Sequence, residues 1–291
     1  MKAPQHLLVF GRTGQVATEL QRLTGPGMSV TALGRDQADL TNPEACAEII
    51  ASTDADVVIN AAAYTIVDRA EEEEALATVI NADAPGAMAR ACAARGLPFL
   101  HISTDYVFDG SKKGAWVEDD PASPLGAYGR SKLKGEEAVR AAGGAHVILR
   151  TAWVFSANGN NFVKTMLRVG ADRDRLTVVD DQHGGPTAAA DIAQALVTIA
   201  KAFQEGRGVT GTFHFAGQPA TTWCGFAREI FARTGWERTP EIAPIKTADW
   251  PTPATRPANS VLDCQKIQTA YGITQSTWSL ALTLVLEGPV R

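Results

Sequence analysis

Leu7-Leu8-Val9-Phe10-Gly11-Arg12-Thr13-Gly14-Gln15-Val16-Ala17 is an apolar run, broken by a glycine loop, that leads into a helical pattern. Four consecutive apolar residues read as a strand buried on both faces. Residues 16–23 have helical character and stop near Gly25-Pro26-Gly27. The spacing between strand and helix is G-x-x-G-x-x-A. Gly11 makes the tight turn, Gly14 lets the backbone approach a pyrophosphate, and Ala17 permits close packing of helix on strand. The helix N-terminus adds unpaired amides and a positive dipole end that favour an anion. A glycine loop alone is a weak sign, because an ordinary tight turn has the same composition. Its place between strand and helix makes Gly11, Arg12, Thr13, Gly14, Gln15 and Val16 candidate dinucleotide-phosphate residues.

The alternation continues outward from that loop. Strands are expected over 29–33, 56–60, 99–103 and 146–150, and helices over 43–52, 75–95 and 131–141. Strands separated by helices at this spacing predict an α/β fold, a Rossmann-like doubly wound parallel sheet with right-handed crossovers. The second half is less regular. It offers a strand over 176–179, an amphipathic helix over 188–203, a strand over 211–215, and a proline-rich loop over 246–259 among Trp223, Trp236 and Trp250. This half is expected to form a smaller C-terminal α/β substrate lobe over the carboxyl ends of the strands. The expected division is 1–150 for the dinucleotide domain and 151–291 for the lobe, with about 176–205 returning to the core.

Bulk composition narrows the class. The 291 residues are 45% hydrophobic and 20% charged, ordinary for a folded chain able to bury a large core. A net charge of -5 argues against a nucleic-acid partner. Cys46, Cys92, Cys224 and Cys264 form no CxxC pair and read as reduced packing thiols, so no metal site is expected. The apolar run after Met1-Lys2-Ala3-Pro4-Gln5-His6 is too short for a signal peptide or a membrane span, and a cytoplasmic protein is expected. The acidic run Glu71 to Glu74 reads as a solvated helix start.

The second strand ends at Leu33-Gly34-Arg35. An NAD-selective site usually places an acid there for the ribose 2′-hydroxyl. Gly34 stands there instead, and the Arg35 guanidinium suits a 2′-phosphate. The reading favours NADPH, with NADH as the alternative, since Arg35 could equally be a solvated charge with Asp36 beside it. Asp39-Leu40 lies where a loop can meet the adenine. After the third strand, Asn60-Ala61-Ala62-Ala63-Tyr64-Thr65 leaves room for a cofactor across the sheet end.

Tyr128-Gly129-Arg130-Ser131-Lys132 carries the chemistry. Tyr128 and Lys132 are four apart at a helix start and share a face. A phenol titrates near 10, and a nearby ammonium lowers that value toward the working range. Y-x-x-x-K is frequent by chance. Ser103-Thr104-Asp105, ending the fourth strand, adds a hydroxyl able to bond a substrate carbonyl. Loop, hydroxyl and Tyr/Lys pair occur in the right order on the right elements.

At these residues the chain resembles the extended short-chain dehydrogenases/reductases, and within them the dTDP-4-dehydrorhamnose reductase family. The segments that carry this include Asn60-Ala61-Ala62-Ala63-Tyr64-Thr65, Ser103-Thr104-Asp105-Tyr106-Val107-Phe108-Asp109-Gly110, Tyr128-Gly129-Arg130-Ser131-Lys132, Arg150-Thr151-Ala152-Trp153-Val154-Phe155, Asp181-Gln182-His183-Gly184-Gly185-Pro186-Thr187 and Arg256-Pro257-Ala258-Asn259-Ser260. The resemblance covers nearly the whole chain. It implies hydride transfer to C4 of dTDP-4-dehydro-L-rhamnose, with Tyr128 as proton donor, Lys132 as its tuner and ribose clamp, and Thr104 as the carbonyl partner. It further implies Trp153 as a sugar-stacking residue, Asp105 and Gln182 as substrate contacts, and Arg256 at the diphosphate. Gly34 departs from the acid often found there in the family. Some members bind Mg²⁺ at a homodimer interface, with ligands that do not map onto this sequence. A sugar 4,6-dehydratase usually has Thr-Asp-Glu after the fourth strand, and Tyr106 replaces that acid here. Another 4-ketosugar reductase or epimerase, or a non-catalytic NADP-binding regulatory subunit, are the alternatives.

Overall fold

β1 (Gln5–Phe10) is the apolar run, extended by two residues and buried along almost its whole length. This computed structural model describes residues 5–288. Residues 1–4, on which the leader reading falls, and the chain end at 289–291 lie outside the described residues. α1 (Gln15–Arg22) follows and buries Val16, Ala17 and Leu20. β2 (Met28–Leu33) runs parallel to β1, with Leu7 opposite Val30 and Phe10 opposite Leu33. α2 (Pro43–Ser52) begins where the sequence signals it. The Asn42 side chain accepts from the Ala45 amide, and proline occupies the first turn. β3 (Val57–Asn60) pairs on the other side of β1.

The single helix expected over 75–95 is interrupted. α3 (Glu74–Thr78) passes through a π-turn at Val79–Asp83 into α4 (Ala84–Arg95), which ends at Gly96 with φ 66°. Pro85 explains the break, since it has no amide to donate and its ring crowds the carbonyl four residues back. β4 (Phe99–Thr104) leads through a loop to α5 (Ala127–Ala141), which starts four residues earlier than expected. Tyr128 therefore lies inside its first turn. β5 (His146–Thr151) completes the first half.

The second half contributes β6 (Val154–Phe155), α6 (Phe162–Gly170), β7 (Arg175–Val179), β8 (His183–Gly184), β9 (Thr187–Ala188) and α7 (Ala189–Gln204). β10 (Gly211–His214), β11 (Thr221–Thr222), α8 (Trp223–Ala232), β12 (Glu241–Ile245), α9 (Gln265–Tyr271) and α10 (Trp278–Glu287) follow.

The main sheet has the order β10-β5-β4-β3-β1-β2, and every neighbouring pair is parallel. The chain winds outward from β1 in both directions, so the switch point lies between β1 and β3. Ligands bind at such a point, outside the carboxyl ends of the strands. Alternate strand residues feed two cores. Leu7, Val9, Val57 and Ile59 pack with Ile192 and Leu196 of α7. Leu8, Phe10, Val58 and Ile148 pack with Ile50 and Met88. Each such buried side chain contributes about 1.5–3 kcal/mol.

The segment 176–205 divides. α7 returns to the main core and packs along α1. β7 does not join the main sheet and pairs in parallel with β12 in a two-stranded sheet of its own. Its residues alternate between exposed and buried, which suits a sheet covered on one face and not one buried on both. A separate core of Phe155, Val163, Phe226, Ile230 and Trp278 fills this second region. Among the described residues no helix is long and apolar enough to cross a membrane.

Candidate active site

The glycine loop and the alanine loop meet backbone to backbone. Gly11 has φ 108°, and a Cβ there would lie 3.1 Å from the Ala62 nitrogen and 3.2 Å from the Ala61 carbonyl. Only glycine permits both that dihedral and that approach. Gly14 is the N-cap of α1 and offers no side-chain acceptor to the first-turn amides, which leaves them to an anion. Val16 and Ala17 are buried beneath, while Arg12 and Thr13 are exposed. Gln15 turns to the second region, where its Oε1 accepts from Ser156 Oγ at 2.9 Å and Asn161 Nδ2 at 3.0 Å.

At the end of β2 the structure places Arg12, and not Arg35, over Gly34. A Cβ on Gly34 would lie 2.7 Å from Arg12 Nη2. That guanidinium is held over Gly34 by Asp36 Oδ1 at 2.9 Å and Gln37 Oε1 at 3.0 Å. Arg35 is three-quarters exposed and pairs with Asp39 at 3.5 Å. Asp39 accepts from the Thr41 amide, which holds its carboxyl below the ordinary range, and Leu40 is buried beside it.

Asn81, in the π-turn, ties the alanine loop to α5. Its Oδ1 accepts from the Tyr64 amide at 2.8 Å, and its Nδ2 donates to the Tyr64 carbonyl and to Ser131 Oγ. Ala61, Ala62 and Ala63 are half-buried along this loop and Thr65 is exposed. The Tyr64 hydroxyl donates to Glu73 at 2.6 Å. The acidic run is thus more than a solvated face. Glu71 accepts from the Ala127 amide at 2.8 Å and so caps α5, and Glu74 clamps Arg130 at 2.9 and 2.7 Å. These carboxylates fix the helix start that carries Tyr128.

Thr104, Tyr128 and Lys132 come together at the carboxyl end of β4. The Thr104 hydroxyl donates to Asp105 Oδ1 at 3.0 Å, accepts from the Tyr106 amide, and faces the Tyr128 phenol. The Tyr106 ring packs edge-on against Tyr128, with centroids 5.5 Å apart. Burial pushes the Tyr128 phenol up to about 12, with the Thr104 hydroxyl pulling the other way. The expected lowering by Lys132 is not found, because Lys132 Nζ donates to the Ile102 carbonyl at 2.7 Å instead. Burial also raises the Asp105 carboxyl to about 6.

The remaining candidates are spread over the second region. Trp153 adopts φ 48°, a strained value for a bulky residue. Its ring stacks on Trp223 with centroids 3.5 Å apart and lies against Gly184. Trp223 Nε1 donates to Gln182 Oε1 at 3.2 Å, and Gln182 Nε2 donates to Thr247 Oγ1 at 3.0 Å. Trp153 and Gln182 therefore belong to one cluster. Arg256 is engaged by Asp68 through two bonds of 2.8 Å, so an anion would have to compete with that carboxylate for it.

Sequence reasoning quoted Asn60 within the alanine-loop motif without giving it a role, and missed four others, His101, Glu136, Asn81 and Trp223. Two of these had a readable signal. His101 is a polar residue inside an apolar strand pattern, and Glu136 follows Tyr128 and Lys132 at the same spacing of four on one helix face. Asn81 and Trp223 had none. Among the described residues no group of three or more His, Cys, Asp or Glu side chains is placed to hold a metal ion. These residues by themselves therefore offer no site for the implied Mg²⁺.

The family described as the RmlD substrate binding domain matches residues 5–289. A dTDP-4-dehydrorhamnose reductase of Burkholderia thailandensis is 43% identical over 97% of this chain and 98% of its own. The chain belongs to the dTDP-4-dehydrorhamnose reductase family. Two solved structures of that reductase family superpose with a TM-score of 0.90. One, from Clostridium acetobutylicum, is 38% identical and covers 97% of this chain and 99% of its own. The other, from Bacillus anthracis in complex with NADP, is 31% identical over 97% and 98%.

Proposed function

We propose that this chain reduces the C4 keto group of dTDP-4-dehydro-L-rhamnose with NADPH, giving dTDP-L-rhamnose. The observation that carries this is the convergence of Thr104, Tyr128 and Lys132 at the carboxyl end of β4, on the same edge of the sheet as the glycine loop, in a chain that a reductase relative matches over 97% of its length. On this reading residues 1–150 hold the dinucleotide and 151–291 chiefly the sugar, with α7 and β10 serving the first. The work is cytoplasmic.

The residues present fit a dinucleotide. Gly11, Gly14 and the start of α1 form a cradle for its pyrophosphate, and Ala61 to Ala63 lie alongside. When bound, a reduced nicotinamide supplies the hydride. Tyr128 holds the proton. A buried phenol near 12 stays protonated at neutral pH and releases its proton only to a stronger base, such as the alkoxide that forms as the carbonyl is reduced. Thr104 bonds the same oxygen and orders the exchange. Tyr106 stands where a dehydratase needs an acid, and burial raises its phenol far above the ordinary value. This favours simple reduction over water elimination.

The test is NADPH oxidation followed by absorbance, with the ketosugar generated in the same tube. Rapid oxidation to one rhamnosyl product supports the reading. Failure with this sugar but turnover of another 4-ketosugar would move the substrate. Binding without any turnover would leave the regulatory-subunit alternative.

Arg12 and Gly34 make the dinucleotide preference testable. Arg12 lies over the end of β2 with Asp36 and Gln37 beside it, a cation for a 2′-phosphate and acceptors for a 2′-hydroxyl in one place. Arg12→Ala is expected to weaken NADPH about tenfold or more, the worth of a charge-assisted bond, with little effect on NADH. Arg35→Ala should change both by less than about twofold. Dissociation constants for the four combinations decide it. A larger loss in Arg35→Ala would return the role to Arg35.

A further inference from the structure

Lys132 is buried, with Nζ donating to the Ile102 carbonyl at 2.7 Å and lying 3.3 Å from His101 Nε2. His101 is fully buried in β4, with Nδ1 3.2 Å from Asn60 Nδ2. One amide fixes the proton positions. Asn60 Oδ1 accepts from the Ala62 amide at 3.1 Å, so Nδ2 must face His101. An amide nitrogen only donates. His101 Nδ1 therefore accepts, and the neutral ring carries its proton on Nε2. That N–H points at Lys132 Nζ. An ammonium there would set two donors against each other, whereas a neutral amine accepts from His101 and donates to Ile102, which satisfies each group from Asn60 through His101 to Lys132.

We propose that His101 is a positioning residue: locked by Asn60, it parks Lys132 as a neutral amine against β4, so that dinucleotide binding recruits the lysine and takes up a proton. This rests on the nicotinamide reading given above. The surrounding groups are few. Burial pulls the Lys132 ammonium down to about 8, and Glu136, one turn along α5, opposes that. Glu136 is itself paired with Arg150 and Arg140. Burial, the larger cause, keeps His101 well below its ordinary value, so the ring stays neutral. β3 presents Asn60, which does not title as an acid or base, and the π-turn presents Asn81, bonded to Ser131. Tyr128 lies one turn before Lys132. A lysine neutral when free and charged when bound makes dinucleotide affinity fall as pH rises through its unliganded value.

The test is calorimetric titration of the intact protein with NADPH at about pH 8.5, in two buffers of different ionisation enthalpy. A phosphate monoester, with a second pKa of about 6, is already fully ionised there. Wild type is expected to take up about three-quarters of a proton per dinucleotide, the neutral fraction of an amine titrating at about 8. His101→Leu should take up measurably less, because burial remains but the N–H that only a neutral amine can accept is gone. His101→Gln, whose amide nitrogen can donate to Nζ, should restore uptake. Normal binding without uptake in wild type, or equal uptake in all three, overturns the proposal. If His101→Leu does not fold, a long-range ¹H–¹⁵N spectrum of the unliganded wild type decides. A proton on Nε2 of His101 is expected, and one on Nδ1 overturns it. No NADPH binding by wild type would instead overturn the nicotinamide reading beneath it.

Discussion

Tyr128→Phe is expected to lower kcat by about a hundred- to ten-thousand-fold, the usual worth of a positioned proton donor. Dinucleotide affinity should stay within about twofold, because no bond to a phosphate cradle is touched. The substitution is clean. The ring keeps its place in the first turn of α5 and its edge contact with Tyr106, and the Glu71 cap on the Ala127 amide is unaffected. Only the hydroxyl facing Thr104 is lost. Single-turnover NADPH oxidation beside a direct binding titration separates chemistry from affinity. Turnover within about threefold of wild type would remove Tyr128 from the proton-donor role. A parallel loss of binding would mean that the ring had moved.

Arg150→Met is expected to destabilise the fold by about 3–5 kcal/mol, read from the urea midpoint. Arg150 is 3% exposed and Glu136 is fully buried. Two bonds join them, Nε to Oε1 at 2.8 Å and Nη2 to Oε2 at 2.7 Å, and Ser103 Oγ adds a third at 2.6 Å. Burial alone would push the Glu136 carboxyl up. Arg150, Ser103 and Arg140 outweigh it and hold the group ionised. Removing the cation strands that charge in the core. The double variant Glu136→Leu/Arg150→Met removes both charges and should recover most of the loss. A single-variant cost below about 1 kcal/mol would show that water reaches the carboxylate. The pair also matters for the chemistry. Ser103 precedes Thr104, and Glu136 lies one turn beyond Lys132, so the same bonds pin β4 and α5 together.

Much of this arrangement is legible in the sequence where local chemistry decides it. Asn42-Pro43 announces α2 to the residue, and the Leu7 to Phe10 run announces β1. The Tyr128/Lys132 spacing places two side chains on one face whatever the rest of the chain does. Legibility ends where the outcome depends on a partner distant in sequence. The helix over 75–95 breaks in the turn ahead of Pro85, a signal present but outweighed by the alanine-rich pattern around it. Lys132 turns to Ile102 and His101 because Asn60, on another strand, sets the imidazole proton. The Arg12 guanidinium lies over Gly34 because a missing Cβ leaves space for it, and Asp36 and Gln37 draw it there. Arg256 is the residue the family motif points to, but its pairing with Asp68 spans most of the chain and no local pattern encodes it.

The placement of β10 and α7 has a consequence for biosynthesis. When residue 150 has been translated, the outer edge of β5 is still unpaired and the face of α1 that packs on α7 is still bare. Both are supplied only by the segment ending at His214. A ribosome-bound nascent chain therefore cannot complete its N-terminal half ahead of the rest, as an N-terminal domain ordinarily does. It carries an open strand edge, a template for wrong pairing, until that later segment emerges. The interval in which that edge stays open is set by the distance along the message between β5 and β10.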